Sequence, residues 1–214
     1  MRVVVSVLGL AILALTWLGP LPALARESFA AHMTLHITIV AVAAPLLALA
    51  MAGTVVDPVR ARPSLVAAIP ASMIELVIVW GWHVPVLHHA ARVQSPAFVL
   101  EQATFLASGL LLWIAAFGGD DEQRRVRAGG GVAALLFTSM HMTLLGALFS
   151  LANRPLFQHT TAESVGHAAA DQQLGGVIML LVGGASYLIG GLYLTALALR
   201  STPARATPRQ EPIA

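Results

Sequence analysis

The chain has 214 residues, 57% of them hydrophobic and only 10% charged, with a formal net charge of +2 and a mean hydropathy of +0.80. Soluble domains carry about 25% charged residues, so this composition excludes an ordinary water-soluble globule and predicts an integral membrane protein surrounded by lipid bilayer. Cysteine is absent, which excludes disulfides, Cys-x-x-Cys redox chemistry and thiolate metal sites; a soft-metal site here must use Met and His.

Spans of about 20 apolar residues cross a bilayer core. Six candidates follow in order: Val3–Leu18, Met33–Thr54, Leu65–Leu87, Ala97–Phe117, Gly129–Leu151 and Leu174–Leu199. The expected fold is all-α, a polytopic transmembrane bundle of six helices. Residues 1–25 form the first helix or a signal peptide: Arg2, an apolar run and Ala23-Leu24-Ala25 also describe a secretory leader, whose removal leaves five helices. Residues 26–200 make the bundle. The Pro-containing stretch 201–214 reads as a disordered tail.

Orientation follows from arginine, since there is no lysine. With both termini cytoplasmic, the inside segments hold Arg2, Arg60, Arg62, Arg124, Arg125, Arg127, Arg200, Arg205 and Arg209. The outside segments hold Arg26, Arg92 and Arg154. Cytoplasmic loops carry the excess of positive charge, which predicts an N-in, C-in membrane protein. The pI near 9.9 is therefore topological, and no nucleic-acid partner is expected. The same orientation puts all 8 histidines in the outer half.

Four constellations carry the chemistry. His32-Met33-xx-His36 puts two imidazoles one turn apart on one helix face, so both can reach one ion. Trp80-Gly81-Trp82-His83-Val84-Pro85 sets His83 near the outer end of its helix, with the tryptophans as interfacial anchors. Met140-His141-Met142 lies near mid-membrane; adjacent residues point about 100° apart, so one Met, Met142, and His141 are the candidates. Asp171-Gln172-Gln173-Leu174-Gly175-Gly176 precedes Met179, with Gln172 and Met179 on one face and Asp171 expected at the helix N-terminus. Gly176, Gly183 and Gly190 form a smooth ridge for helix packing. Glu75, two turns deeper than His83, is an ionisable residue at a costly depth: a functional group, or one hydrogen-bonded to a neighbouring helix. Glu101 suits a helix N-terminus, and His88, His89, His159 and His167 read as loop residues.

Taken in order, the His32-Met33-xx-His36 motif, Ala44-Pro45-Leu46-Leu47, Trp82-His83-x-Pro85, His141 and the Asp171–Gly176 run with Met179 resemble the CtaG-type multi-helix cytochrome c oxidase assembly factors of bacterial membranes. The resemblance covers roughly Ala31 to Tyr193. It implies a protein needed to build haem–copper oxidase, with oxidase subunits as partners and copper as cargo. The family positions it carries over are His32, His36, His83, His141 and Asp171, with Met33 and Met179 as softer candidates.

No Walker A, dinucleotide, HExxH or GxSxG motif is present, and the chain is not expected to be an enzyme. The leading expectation is an assembly factor binding Cu(I) transiently at the periplasmic face. A b-type haem protein with paired axial histidines is the first alternative. A copper permease is the second.

Overall fold

A computed structural model describes residues 2–157 and 165–199. His159 and the expected tail, with its arginines, lie outside the described residues. Every regular element among the described residues is helical. Helix α1 (Arg2–Leu18) meets the short α2 (Leu21–Glu27) at a 50° bend, at Gly19-Pro20, where the earlier boundary was expected. Helix α3 (Phe29–Thr38) passes through a π-helical turn, Ile39–Ala43, into α4 (Ala44–Met51), making one span of 23 residues. A single turn, α5 (Pro58–Ala61), precedes α6 (Ala68–Trp82), and α7 (Pro85–Val93) breaks away from α6 by 73°. Helices α8 (Ser95–Phe117) and α9 (Asp121–Leu151) follow. Helix α10 (Val165–Ile178) runs through a second π-helical turn, Met179–Gly183, into α11 (Gly184–Leu199).

Four helices are long and apolar enough to cross a membrane, or six if each bent pair is one span. The multi-pass helical bundle is as composition implies. The boundaries differ in instructive ways. Helix α9 starts at Asp121, well before Gly129, because Asp120 and Gln123 form a reciprocal capping box. Helix α10 starts at Val165, so Asp171 lies inside it, not at its N-terminus.

The π-turn in the first long span has a local cause. Pro45 has no N–H, and its ring pushes away the carbonyl four residues earlier, that of Ala41. In lipid, a carbonyl without a partner costs several kcal/mol. Ser186 Oγ donates to Ala41 O at 2.6 Å, and Trp113 Nε1 donates to Val40 O at 2.7 Å. The irregular turn thereby ties α8 and α11 to the same level of the bundle. Trp113 also stacks on Tyr187, with ring centroids 5.1 Å apart. The glycine ridge makes room for this arrangement: a Cβ on Gly190 would meet the Trp113 ring at 2.6 Å, and one on Gly176 would meet Gly146 O at 2.6 Å.

At the opposite end, the buried Asp57 carboxylate gathers three backbone donors. Its Oδ1 accepts from Val59 N (2.8 Å), and Oδ2 accepts from Gly53 N (2.7 Å) and Gly119 N (2.6 Å). Gly53 and Gly119 have φ of +71° and +89°, which only glycine adopts without strain. Arg124 donates to Phe117 O and Gly119 O, Arg60 to Gly53 O, and Arg127 to Pro63 O and Val66 O. The arginines at this end thus also satisfy carbonyls where helices stop. Replacing Asp57 with Ala orphans three backbone donors, two of them buried, and should cost roughly 2–4 kcal/mol, about 1 kcal/mol per lost bond. Thermal unfolding of the detergent-solubilised protein reads this as a lowered Tm; an unchanged Tm would contradict the role given to Asp57.

Candidate metal centre

The centre is built from the N-terminal half of α3 and the elements packed on it. Ser28 caps α3, its Oγ accepting from Ala31 N at 3.1 Å. Asp171 of α10 then accepts from Ser28 Oγ (2.7 Å), Phe29 N (2.6 Å) and Ala30 N (3.2 Å). A carboxylate on the first N–H groups of a helix is favoured by both hydrogen bonding and the helix dipole. Asp171 therefore locks the start of α3 to α10, and both its oxygens are spent there rather than on the histidines. Gln172, next to it, is buried; its Oε1 accepts from Leu156 N at 2.7 Å and its Nε2 lies 3.4 Å from Phe149 O. It holds the segment after α9 in place.

With α3 fixed, His32 and His36 meet edge to face one turn apart, and their Nε2 atoms approach to 2.6 Å. Glu101 of α8 points at both: its Oε1 lies 3.2 Å from His32 Nε2 and 3.4 Å from His36 Nε2. All three side chains are buried. Glu101 Oε1 makes no hydrogen bond, so the ring nitrogens reach it in distance but not in line. The other oxygen accepts from Gln102 Nε2 at 3.1 Å, which fixes the carboxylate. His32, His36 and Glu101 have the mutual spacing of metal ligands.

On the other side of His36 lies a cavity of about 10 Å³, room for roughly one water-sized particle. Met33, His36, His83, Met142 and Met179 line it, with Ile37, Val40, Val79 and Phe105 filling the remaining wall. His83 caps the C-terminus of α6, with Pro85 two positions on. Its Nδ1 donates to Val79 O at 2.6 Å, so the neutral ring turns its Nε2 lone pair to Met33 Sδ, 3.4 Å away. Gly175 permits this closeness, since a Cβ there would meet the Phe29 ring at 2.6 Å and Met33 Cγ at 3.0 Å. Trp82, expected as an interfacial anchor, donates from Nε1 to Thr104 Oγ1 at 2.9 Å and pins α6 to α8.

The structure thus brings together His32, His36, His83, Met33, Met142 and Met179, from α3, α6, α9 and the second π-turn. His141 is not among them: its ring lies against Phe137 on its own helix, and its neighbour Met142 is the residue that reaches the cavity. Glu75 is fully buried two turns below His83, where Tyr187 Oη donates to its Oε1 at 3.0 Å. That is a helix-to-helix hydrogen bond, one of the two readings its depth allows.

Two residues were missed from sequence. Glu101 was expected only to suit a helix N-terminus, yet it is seven residues into the α8 span and wholly buried; its depth was the available signal. His88 was expected in a loop. It sits instead on α7, at 0% exposure, its ring 4.6 Å from that of His32 and 4.3 Å from that of Phe157. Neither of its nitrogens has a hydrogen-bond partner. The helical pattern of Pro85–Val93, strongly two-faced, was the sign that this stretch is not a loop.

A family model described as Cytochrome c oxidase caa3 assembly factor (Caa3_CtaG) matches residues 1–201. No curated protein and no solved structure matches the chain. The matched range takes in every helix that builds the centre, from α1 to α11. The chain belongs to the cytochrome c oxidase caa3 assembly factor family.

Proposed function

We propose that this assembly factor holds one Cu(I) ion in the cavity between Met33, His36, His83, Met142 and Met179, and passes it to a subunit of cytochrome c oxidase at the periplasmic face. The observation that carries the proposal is a space the size of one ion lined by three methionines and two histidines. Thioether sulfur selects soft Cu(I), and imidazole completes such a site without adding charge. With no cysteine in the chain, the hold lacks thiolate strength, as suits a carrier that must release its cargo.

The direction of delivery is supported by charge. The centre lies at the end of the bundle opposite the Asp57 and arginine contacts, and positively charged loops stay in the cytoplasm. That argues for an outward-facing centre, a bacterial inner-membrane location and cytoplasmic termini. A haem needs a slot for its whole macrocycle between paired histidines, and a cavity of about 10 Å³ offers room for an ion alone. A permease needs ligands continuing across the bundle. Below the cavity come the Trp113–Tyr187 stack and the Glu75–Tyr187 hydrogen bond, which favour holding over passage.

Purified protein should bind one Cu(I) in competition with a chromophoric Cu(I) chelator. Replacing Met142 and Met179 together with Leu, which keeps volume, should weaken binding at least about 10-fold, or roughly 1.4 kcal/mol. His141→Ala should leave the affinity within about 3-fold of wild type. In cells, the His36→Ala, His83→Ala double variant should lower cytochrome c oxidase activity in membranes. A protein that holds no Cu(I), together with normal oxidase in the double variant, would sink the proposal.

A further inference from the structure

We propose that His32, His36 and Glu101 form a second metal site of different hardness, selective for a borderline divalent cation of the zinc class. The three converging atoms lie 2.6, 3.2 and 3.4 Å from one another. The circle through them has a radius of about 1.8 Å, so an ion at bond lengths of roughly 2.0–2.1 Å sits about 1 Å off their plane and touches all three. The two imidazole nitrogens, 2.6 Å apart, must part to about 3.3 Å for tetrahedral angles, a movement of well under 1 Å.

Several independent features point to a ligand. Glu101 Oε1 is fully buried, aimed between two ring nitrogens and without a hydrogen bond. A buried carboxylate oxygen left so is costly unless something positive meets it. The His88 ring of α7 packs beside His32, 4.6 Å away, fully buried and with both nitrogens unpartnered. Gln102 Nε2 holds the outer carboxylate oxygen, the kind of support that metal-binding carboxylates receive. Phe29, Phe149 and Phe157 pack around one another, and Phe29 and Phe157 also cover the His88 ring, keeping water from the histidines.

The donor set differs from that of the neighbouring cavity. Two imidazoles with a carboxylate suit Zn²⁺ and similar borderline ions, and the carboxylate offsets one of the two charges. The cavity offers thioethers and no carboxylate. His36 belongs to both. A neutral imidazole has one lone pair, so His36 serves one ion at a time. The divalent site therefore opposes Cu(I) binding, and this coupling alone rests on the copper reading above.

The test uses the purified full chain with Zn²⁺ as the probe, measured against a fluorescent zinc chelator. Wild type should bind one Zn²⁺, and Glu101→Gln, which keeps the contact with Gln102, should weaken it at least about 10-fold while leaving Cu(I) affinity within about 3-fold. The Met142→Leu, Met179→Leu variant should do the reverse. Saturating Zn²⁺ should weaken Cu(I) binding to wild type and not to Glu101→Gln. If Glu101→Gln fails to fold, His32→Gln carries the same measurement. Wild type that binds no Zn²⁺, or Glu101 and His32 variants that bind it as wild type does, overturns the site. Zn²⁺ binding that persists where Cu(I) binding is absent refutes the copper reading and leaves this one standing.

Discussion

Inside a bilayer a peptide carbonyl has no water to turn to, and at Val40 and Ala41 the regular helix ladder is broken. Pro45 cannot donate to Ala41, so the chain must bring donors from elsewhere, and it brings Trp113 and Ser186. These two bonds fix α8 and α11 against the middle of the first long span. Trp113 needs the bare backbone of Gly190 beside it, and its stacking places Tyr187 to donate to Glu75 on α6. Four elements are thus registered to one another at a single level. The cavity opens directly above that level, with Val40 in its wall.

The upper boundary of the centre is set by a different device. Asp171 accepts from the first amides of α3, so the rotation of that helix is fixed about one turn before His32. With rotation fixed at one end by Asp171 and depth fixed by the π-turn, Met33, His32 and His36 have little freedom. Met33 and His36 face the cavity, while His32 turns to Glu101. The same three residues on a free helix would sample many geometries. Precision at the centre comes from the supporting contacts more than from the ligands themselves.

Much of this was legible in the sequence. Apolar runs and scarce charge gave the helical, multi-pass class, and the Met and His motifs named most of the residues that meet. The misses share a cause: each depended on where a helix begins or bends. Asp171 looked like an N-terminal residue until α10 proved to start at Val165, which turned the side chain towards α3. His88 looked like loop because Pro85 ends α6, yet Pro is also a good first residue of a new helix, and α7 starts there. Glu101 had a sufficient local explanation, and only packing shows what it faces. Within Met140-His141-Met142, periodicity showed that the three could not all converge, but choosing Met142 over His141 needed the neighbouring helices.

The choice of three thioethers for the cavity wall has a chemical cost outside metal binding. Methionine has no thiol to form a disulfide, yet its sulfur takes up oxygen, and a sulfoxide is polar and larger. One oxygen added to Met33, Met142 or Met179 would fill the cavity of about 10 Å³, leaving no place for an ion. Oxidants generated near a respiratory chain would therefore disable the site at a single atom, without unfolding the bundle. The burial of all three methionines, under Phe105 and the helix backbones, acts as a shield for their own chemistry as well as for any ion they hold.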